Sequence, residues 1–500
     1  MNFFRHHLLI ALAACASVVP HASAQAQSAE PDATTSIVRV NVTNQRYNFA
    51  VPWQKQRPTS RRGLGAVLKG NKVLVTAELI QDSSYVELEI ASTGRKLTAK
   101  VEAADYEVNL AVLVPAEDPG VFFDGIIPLE IAEPAKIGDM FEVWQFESNG
   151  SPVSTNVQLQ RAEIGRYFLP DAYFMEYEVS GLVQYRSGSF TLPVVKDGKL
   201  VGMLLSYNSD DQIADVLPSM IISRFLDDVA NPPYEGFPNF GIQYSVMLDD
   251  QFRSYLDADQ YSGGIYVSSV IRGTSAAASD LKKGDVILEI EGQAIDPRGN
   301  FQHPDYGLLS LSYLIKDTAR VGQELKVKVL REGKEVDLLV KLQRKEPGDY
   351  LVDPYLFDRG PKYYILGGLL FQELTIPYLE LAGDDWQNRG PFKLVYAAKD
   401  PDTFEDEGRK KIVFLSGVLP SNSTIGYEGL SGLILTKING RKILDIKDVD
   451  AAVKEPVDGL HKIEFTDFPH MIYLDAAMAE TDNTQTMPIR YRITDLKRLD

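Results

Sequence analysis

Five hundred residues exceed what one ordinary core holds, and a chain 44% apolar and 24% charged has the composition of about three globular domains. A formal net charge of −18 excludes the basic face of a nucleic-acid binder. The single cysteine, Cys15, excludes an intrachain disulfide framework.

The N-terminus reads as an address. Arg5 is followed by the apolar run Leu8 to Val19, Pro20 and the small-residue site Ala22-Ser23-Ala24. This predicts a secretory signal peptide over 1–24, of bacterial type, and a secreted, periplasmic protein whose mature chain has no cysteine. Leu12-Ala13-Ala14-Cys15 also has a lipobox pattern, which makes a lipoprotein anchored through Cys15 the alternative. The run is too short to span a membrane, and nothing later approaches 18 apolar residues, so no transmembrane segment is expected.

Residues 25–36 are polar and small, a flexible lead-in. From Ile37 short β-rich runs follow one another, separated by Gly, Asn, Asp and Pro. Ile37-Val42, Lys72-Thr76, Tyr85-Ile90, Leu110-Val114 and Leu200-Leu205 are predicted strands. Pro218-Asp228 is the first helical stretch. Asn231-Pro232-Pro233-Tyr234 is a linker, and Glu346-Pro347-Gly348-Asp349 is another. The expected domains are 37–230, 235–345 and 353–500.

The last two units repeat each other. Gly284-Asp-Val-Ile-Leu-Glu-Ile-Glu-Gly292 matches Gly432-Leu-Ile-Leu-Thr-Lys-Ile-Asn-Gly440, 148 residues later, and the same offset carries Val270 to Val418 and Ile295 to Ile443. A short strand between glycines eight apart, then an apolar residue three further on, resembles the middle of a PDZ sandwich.

Several stretches carry a wider resemblance. In chain order they are Val51-Pro52-Trp53-Gln54, Gly63-Leu64-Gly65-Ala66, Tyr234 to Gly241, Gly367 to Phe371 and Tyr491 to Leu496. In this order the chain resembles the Deg/HtrA serine proteases, in the plant-type layout. The resemblance implies a mainly β fold: a trypsin-like double β-barrel, then two PDZ β-sandwiches with small helices. It also implies a homo-oligomer built from trimers.

The family's catalytic positions fall on residues that have changed. The histidine position falls on Glu78 and the aspartate position on Asn109. The serine is retained as Ser187, with Tyr185 where a glycine is usual. The oxyanion positions fall on Arg186 and Ser187. There is no histidine between His21 and His303. Without one, Ser187 lacks a base that titrates near neutrality. An asparagine in place of the aspartate costs such enzymes about 10⁴ in kcat, and Tyr185 opposes the turn that aims N–H groups at an oxyanion. A shifted alignment moves the serine to Ser189 or the acid to Asp105, but creates no histidine. Lys196 and Lys199 read as surface lysines of a turn, and His303 as a solvated loop residue. Asp249-Asp250 and Asp384-Asp385 read as turn acids, and neither cofactor nor metal is expected.

What remains is binding. The PDZ carboxylate loop falls on Phe240-Gly241-Ile242, the strand Ile242-Val246 takes an extended peptide, and a facing helix is expected over Leu308-Leu314. The expected partners are peptide termini or unfolded-protein segments. The second unit, with its polar insert from Gly383 to Lys411, is expected to serve assembly or self-blocking. The function implied is a pseudoprotease acting as scaffold, adaptor or chaperone-like holder in envelope protein quality control. The alternatives are an active serine endopeptidase that uses Ser187 with a non-standard base, such as Glu78, and a purely structural envelope protein.

Overall fold

A computed structural model describes residues 32–184 and 191–500. The signal-peptide stretch, Cys15, and the segment that holds Tyr185, Arg186, Ser187 and Ser189 lie outside the described residues.

The first β unit is a closed six-stranded barrel. Its strands run in the order Ile37–Asn44, Thr59–Leu68, Lys72–Val75, Leu110–Pro115, Lys96–Asp105, Ser83–Glu89 and back to the first. Closure removes every free edge. Val38, Val40, Val73, Val75, Leu88 and Leu113 fill its interior. Gly65 is required there, because a Cβ would lie 2.3 Å from the Val73 side chain.

The second unit forms a ring from Leu192–Lys196, Met140–Phe146, Pro152–Arg166, Tyr173–Ser180, Ile213–Pro218 and Lys199–Asn208, and closes where the last strand pairs with the first. Helix Ser219–Ala230 follows, with Ile221, Ile222 and Phe225 turned inward. All five predicted strands form, within a residue or two of their expected ends except at the last, which runs on to Asn208. The fold is mainly β, a pair of barrels followed by two PDZ domains.

The sheet that follows has the order Ile242–Val246, Ile265–Val270, Val286–Ile290, Glu324–Arg331, Lys334–Lys341. The 148-residue repeat is visible in three dimensions. Strand Ile265–Val270 corresponds residue for residue to Val413–Val418, and Gln293–Ala294 to Arg441–Lys442. Glu291 and Asn439, at matching positions, both have positive φ, 51° and 52°. Each precedes a glycine with φ of 76° or 82°, the two-residue hairpin turn that glycine favours at its second position.

The expected helix over Leu308-Leu314 is absent. Strand Gly307–Ser310 pairs with Asn300–His303 as a hairpin instead, and a single π-type turn covers Tyr313–Asp317. The sequence explains this. Leu309, Leu311 and Tyr313 are buried while Leu308 is 63% exposed, a period of two and not 3.6. His303, expected to be solvated, ends the first strand of that hairpin. It stacks on Tyr306 at 4.9 Å, edge-on to Phe301 and Tyr313, and burial pushes its pKa down.

The hairpin seats the first PDZ on the second barrel. Leu309, Leu311, Tyr313 and Phe240 belong to one apolar cluster with Phe141, Tyr177, Val194 and Val216 of the barrel. The Tyr306 hydroxyl donates to the Ala135 carbonyl at 2.7 Å, and the Ala135 N–H donates to the Tyr177 hydroxyl at 3.1 Å. Phe237 meets Phe174 edge-on at 5.1 Å under the Arg224 guanidinium. The last domain docks on the first barrel. Trp53 lies 6.1 Å from Tyr363, Arg498 donates to the Pro52 carbonyl at 3.0 Å, and the N–H groups of Asp82 and Asp358 each donate to the other's carboxylate, at 2.8 and 2.9 Å.

Asp317 lies in the seam between barrel and PDZ. The Met175 N–H donates to its Oδ1 at 2.9 Å, while Oδ2 has no partner among the described residues. Burial pushes its carboxyl up to about 7. A folded-state pKa above the unfolded value means stability is full below about pH 4 and falls as pH rises through 7. Asp317→Asn should therefore flatten the fall in stability between pH 4 and 7 by roughly 2–4 kcal/mol, read by urea unfolding across that range. Glu176, pushed up to about 8 by burial and by Asp215, Glu163 and Glu178, leaves a residual slope of the same sign.

Candidate functional site

A cleft of about 860 Å³ runs between the barrels. The first barrel supplies Asn41, Arg61, Arg62, Thr76, Glu78, Glu87 and Asn109, and the second supplies Thr191, Leu204 and Leu205. Two predicted site residues, Glu78 and Asn109, thus meet in one place. The third, Ser187, and the oxyanion residue Arg186 fall in the segment outside the described residues, just before Thr191.

The contact between Glu78 and Asn109 is structural in kind. Asn109 is buried with φ of 55°, a left-handed conformation that asparagine tolerates better than most residues. Its Oδ1 accepts from the Glu78 N–H at 2.8 Å, and its carbonyl accepts from the Ala77 N–H at 3.2 Å. Asn109 therefore caps the turn Ala77–Ile80, occupying N–H groups that a helix start leaves unpaired. It binds the backbone of Glu78, not its carboxylate. The Glu78 side chain is exposed, and Arg61 donates to its carbonyl at 3.0 Å.

Other polar residues of the cleft carried no signal in the sequence. Arg62 donates to Asn41 Oδ1 at 2.7 Å, and Asn41 donates to Glu89 at 3.0 Å. Burial pushes the Glu89 carboxyl up, but hydrogen bonds from Asn41 and Arg39 outweigh it and hold the group below the usual carboxylate range. Lys96 pairs with Glu87 at 2.8 Å. Among the described residues Thr76 Oγ1, which is buried, has no partner. Only outward alternation along the strands points to these residues before the barrel is assembled.

Asp105, the alternative acid, is committed elsewhere. It is buried and accepts from Tyr234 Oη at 2.7 Å, Arg344 at 3.4 Å and the Glu107 N–H at 2.8 Å. It ties the first barrel to the first PDZ. Lys196 and Lys199 pair with Asp139 and Glu130 at 2.5 and 3.6 Å. Among the described residues, no group of three or more His, Cys, Asp or Glu is placed to hold a metal ion.

The second candidate site is the edge of the first PDZ. Gly241 has φ of 79°, and a Cβ there would lie 2.0 Å from Thr274 Oγ1. Its carbonyl accepts from the Ile271 N–H at 2.9 Å, which latches the loop Phe240-Gly241-Ile242. Phe240 is buried, so the loop is anchored in the core at one end. Strand Ile242–Val246 ends the sheet; among the described residues nothing pairs with its outer edge. Tyr244 and Val246 are exposed on one face of it. In the second PDZ the corresponding strand, Leu369–Glu373, is paired on both sides. Its outer edge is taken by the chain's own Tyr363–Leu366, joined through a Gly367-Gly368 turn.

Comparisons with known proteins agree with this architecture. PDZ-domain profiles match residues 238–342 and 352–497. Protease Do-like 2, chloroplastic, of Arabidopsis thaliana is 27% identical over 440 residues, 86% of this chain and 70% of that one. Protease Do-like 4, mitochondrial, of the same plant is 25% identical over 441 residues, 87% and 80% of the two chains. Among solved structures, the HtrA-type protease AlgW with tripeptide is 17% identical with a TM-score of 0.47, covering 63% of this chain and 95% of that one. The chain is a homologue of the Do-like proteases of the Deg/HtrA family, and it carries two PDZ domains.

Asn109→Ala should cost about 1–3 kcal/mol, because it leaves the Glu78 N–H unpaired and puts a Cβ residue with no side-chain acceptor at positive φ. Asn109→Gly relieves the backbone but not the lost bond and should cost less. Urea midpoints of the two variants decide the order.

Proposed function

We propose that the chain is a pseudoprotease: a Deg/HtrA relative that binds peptide termini or unfolded segments through its first PDZ and does not cleave them. The observation that carries this reading is the missing base. No histidine lies between His21 and His303, and the residue at its position, Glu78, sits exposed with its backbone held by Asn109. On this reading a serine at 187 has no imidazole of its own domain to take its proton and return it to the leaving amine. Binding is supported by the open edge of Ile242–Val246, where an extended peptide gains backbone hydrogen bonds while its carboxylate meets the loop at Gly241. The second PDZ offers no such edge, because Tyr363–Leu366 fills it, which favours a role in assembly or in self-blocking.

The N-terminal run from Arg5 to Ala24 supports export, and with it a place in envelope protein quality control as scaffold, adaptor or chaperone-like holder. By family resemblance the working form is a homo-oligomer. Among the described residues no helix is long and apolar enough to cross a membrane.

Two measurements test the proposal. Casein incubated with the mature protein should remain uncut, and Ser187→Ala should behave identically; cleavage lost in Ser187→Ala overturns the reading and makes Ser187 a working nucleophile. Fluorescence anisotropy with peptides ending in a free apolar carboxylate should show saturable binding, weakened at least tenfold by amidation and by Gly241→Ala.

A further inference from the structure

A second cavity, of about 360 Å³, lies where the second barrel, the first PDZ, the linker and the last domain meet. Its size suits a small molecule. Three aromatic residues line it: Tyr350 and Tyr355 from the linker and Trp386 from the insert of the last domain. Helix Phe392–Lys399 of that insert closes one side with Ala398.

The charges around it do not balance locally. Lys316 is paired with Glu107 at 2.8 Å, and Arg344 with Asp105 and Glu346, each at 3.4 Å. Lys345 is different. It is half-buried, with its ammonium 4.4 Å from the centre of the Tyr350 ring and donating to the Arg272 carbonyl at 2.9 Å. Among the described residues no carboxylate forms an ion pair with it; Glu405, Asp349 and Asp402 act on it from farther away, against Lys411. Burial lowers its pKa, the direction expected of a cation short of a counter-charge. Of the other lining carboxylates, Asp171 is exposed, and burial pushes Glu380 up.

We propose that this cavity binds a small aromatic carboxylate, its ring among Tyr350, Tyr355 and Trp386 and its single negative charge on Lys345. Two lining cations, Lys345 and Lys399, have no ion-pair partner among the described residues; Lys399 is exposed to water, so the half-buried Lys345 is the one that calls for a negative charge, and aromatic walls call for a flat apolar body. The cavity shares no lining residue with the cleft at Glu78, and although Asn239 adjoins the Phe240-Gly241-Ile242 loop, the proposal does not rest on the reading of either site. Because its walls come from several domains, a bound ligand stabilises their docked arrangement by mass action.

The test uses the full mature chain with indole-3-acetate as probe and indole-3-acetamide as its neutral counterpart. Titration calorimetry should show one saturable site for the acetate and at least tenfold weaker binding of the amide. Thermal unfolding should shift upward with the acetate alone. Lys345→Met, which keeps the apolar stem, should weaken the acetate at least tenfold, and Ala398→Phe should block the cavity. No saturable binding of the acetate overturns the proposal, as does equal binding of the amide or by Lys345→Met. If Lys345→Met fails to fold, the comparison of acid with amide on the unaltered protein still decides.

Discussion

The structure depends on one apolar continuity: the core of the second barrel runs into the core of the first PDZ. Leu309, Leu311 and Tyr313 reach across to Phe141, Tyr177 and Val216 without an intervening polar layer. Burial on that scale is the largest favourable term available to a chain with no disulfide. The polar contacts at the seam follow from it. Tyr306 donates to the Ala135 carbonyl, and Arg224 covers Phe237, because groups beside a dry interface must find partners inside the protein.

The same economy explains how the position that the family resemblance assigns to a triad aspartate can hold another residue without loss of the barrel. A triad aspartate serves an imidazole. With no imidazole present, the side chain at 109 serves the backbone, capping the turn at Ala77–Ile80. The cleft keeps its shape because the strands that form its walls are held by barrel closure, not by the residues facing into it. Chemistry and scaffold are separable here to the extent that separate residues carry them.

The strands were legible in the sequence because β-branched runs between turn residues are a local signal, and the repeat because its glycines need positive φ at fixed spacing. The segment 308–314 misleads for a reason. Its leucines are dense enough to suggest a helix, yet Ser310 and Ser312 alternate with Leu309, Leu311 and Tyr313, and Gly307 turns the chain into a hairpin. The roles of Asp105, Asp317 and Asp358 were not legible. Each depends on partners more than a hundred residues away, and no spacing rule connects Asp105 to Arg344 or Asp82 to Asp358. Glu78 and Asn109 were found by family position, and what Asn109 holds became visible only with the turn in place.

The strand Tyr363–Leu366 has a consequence for valency. Two PDZ domains in tandem suggest a chain that grips an extended partner twice, with the gain in avidity that tethering brings. The outer edge of Leu369–Glu373 is already occupied from within, so on the proposed function only the first domain takes a peptide by strand addition. On that proposal a multivalent hold on a long unfolded segment would come from several copies of the chain side by side, its reach set by the spacing between copies and not by the linker between the two domains.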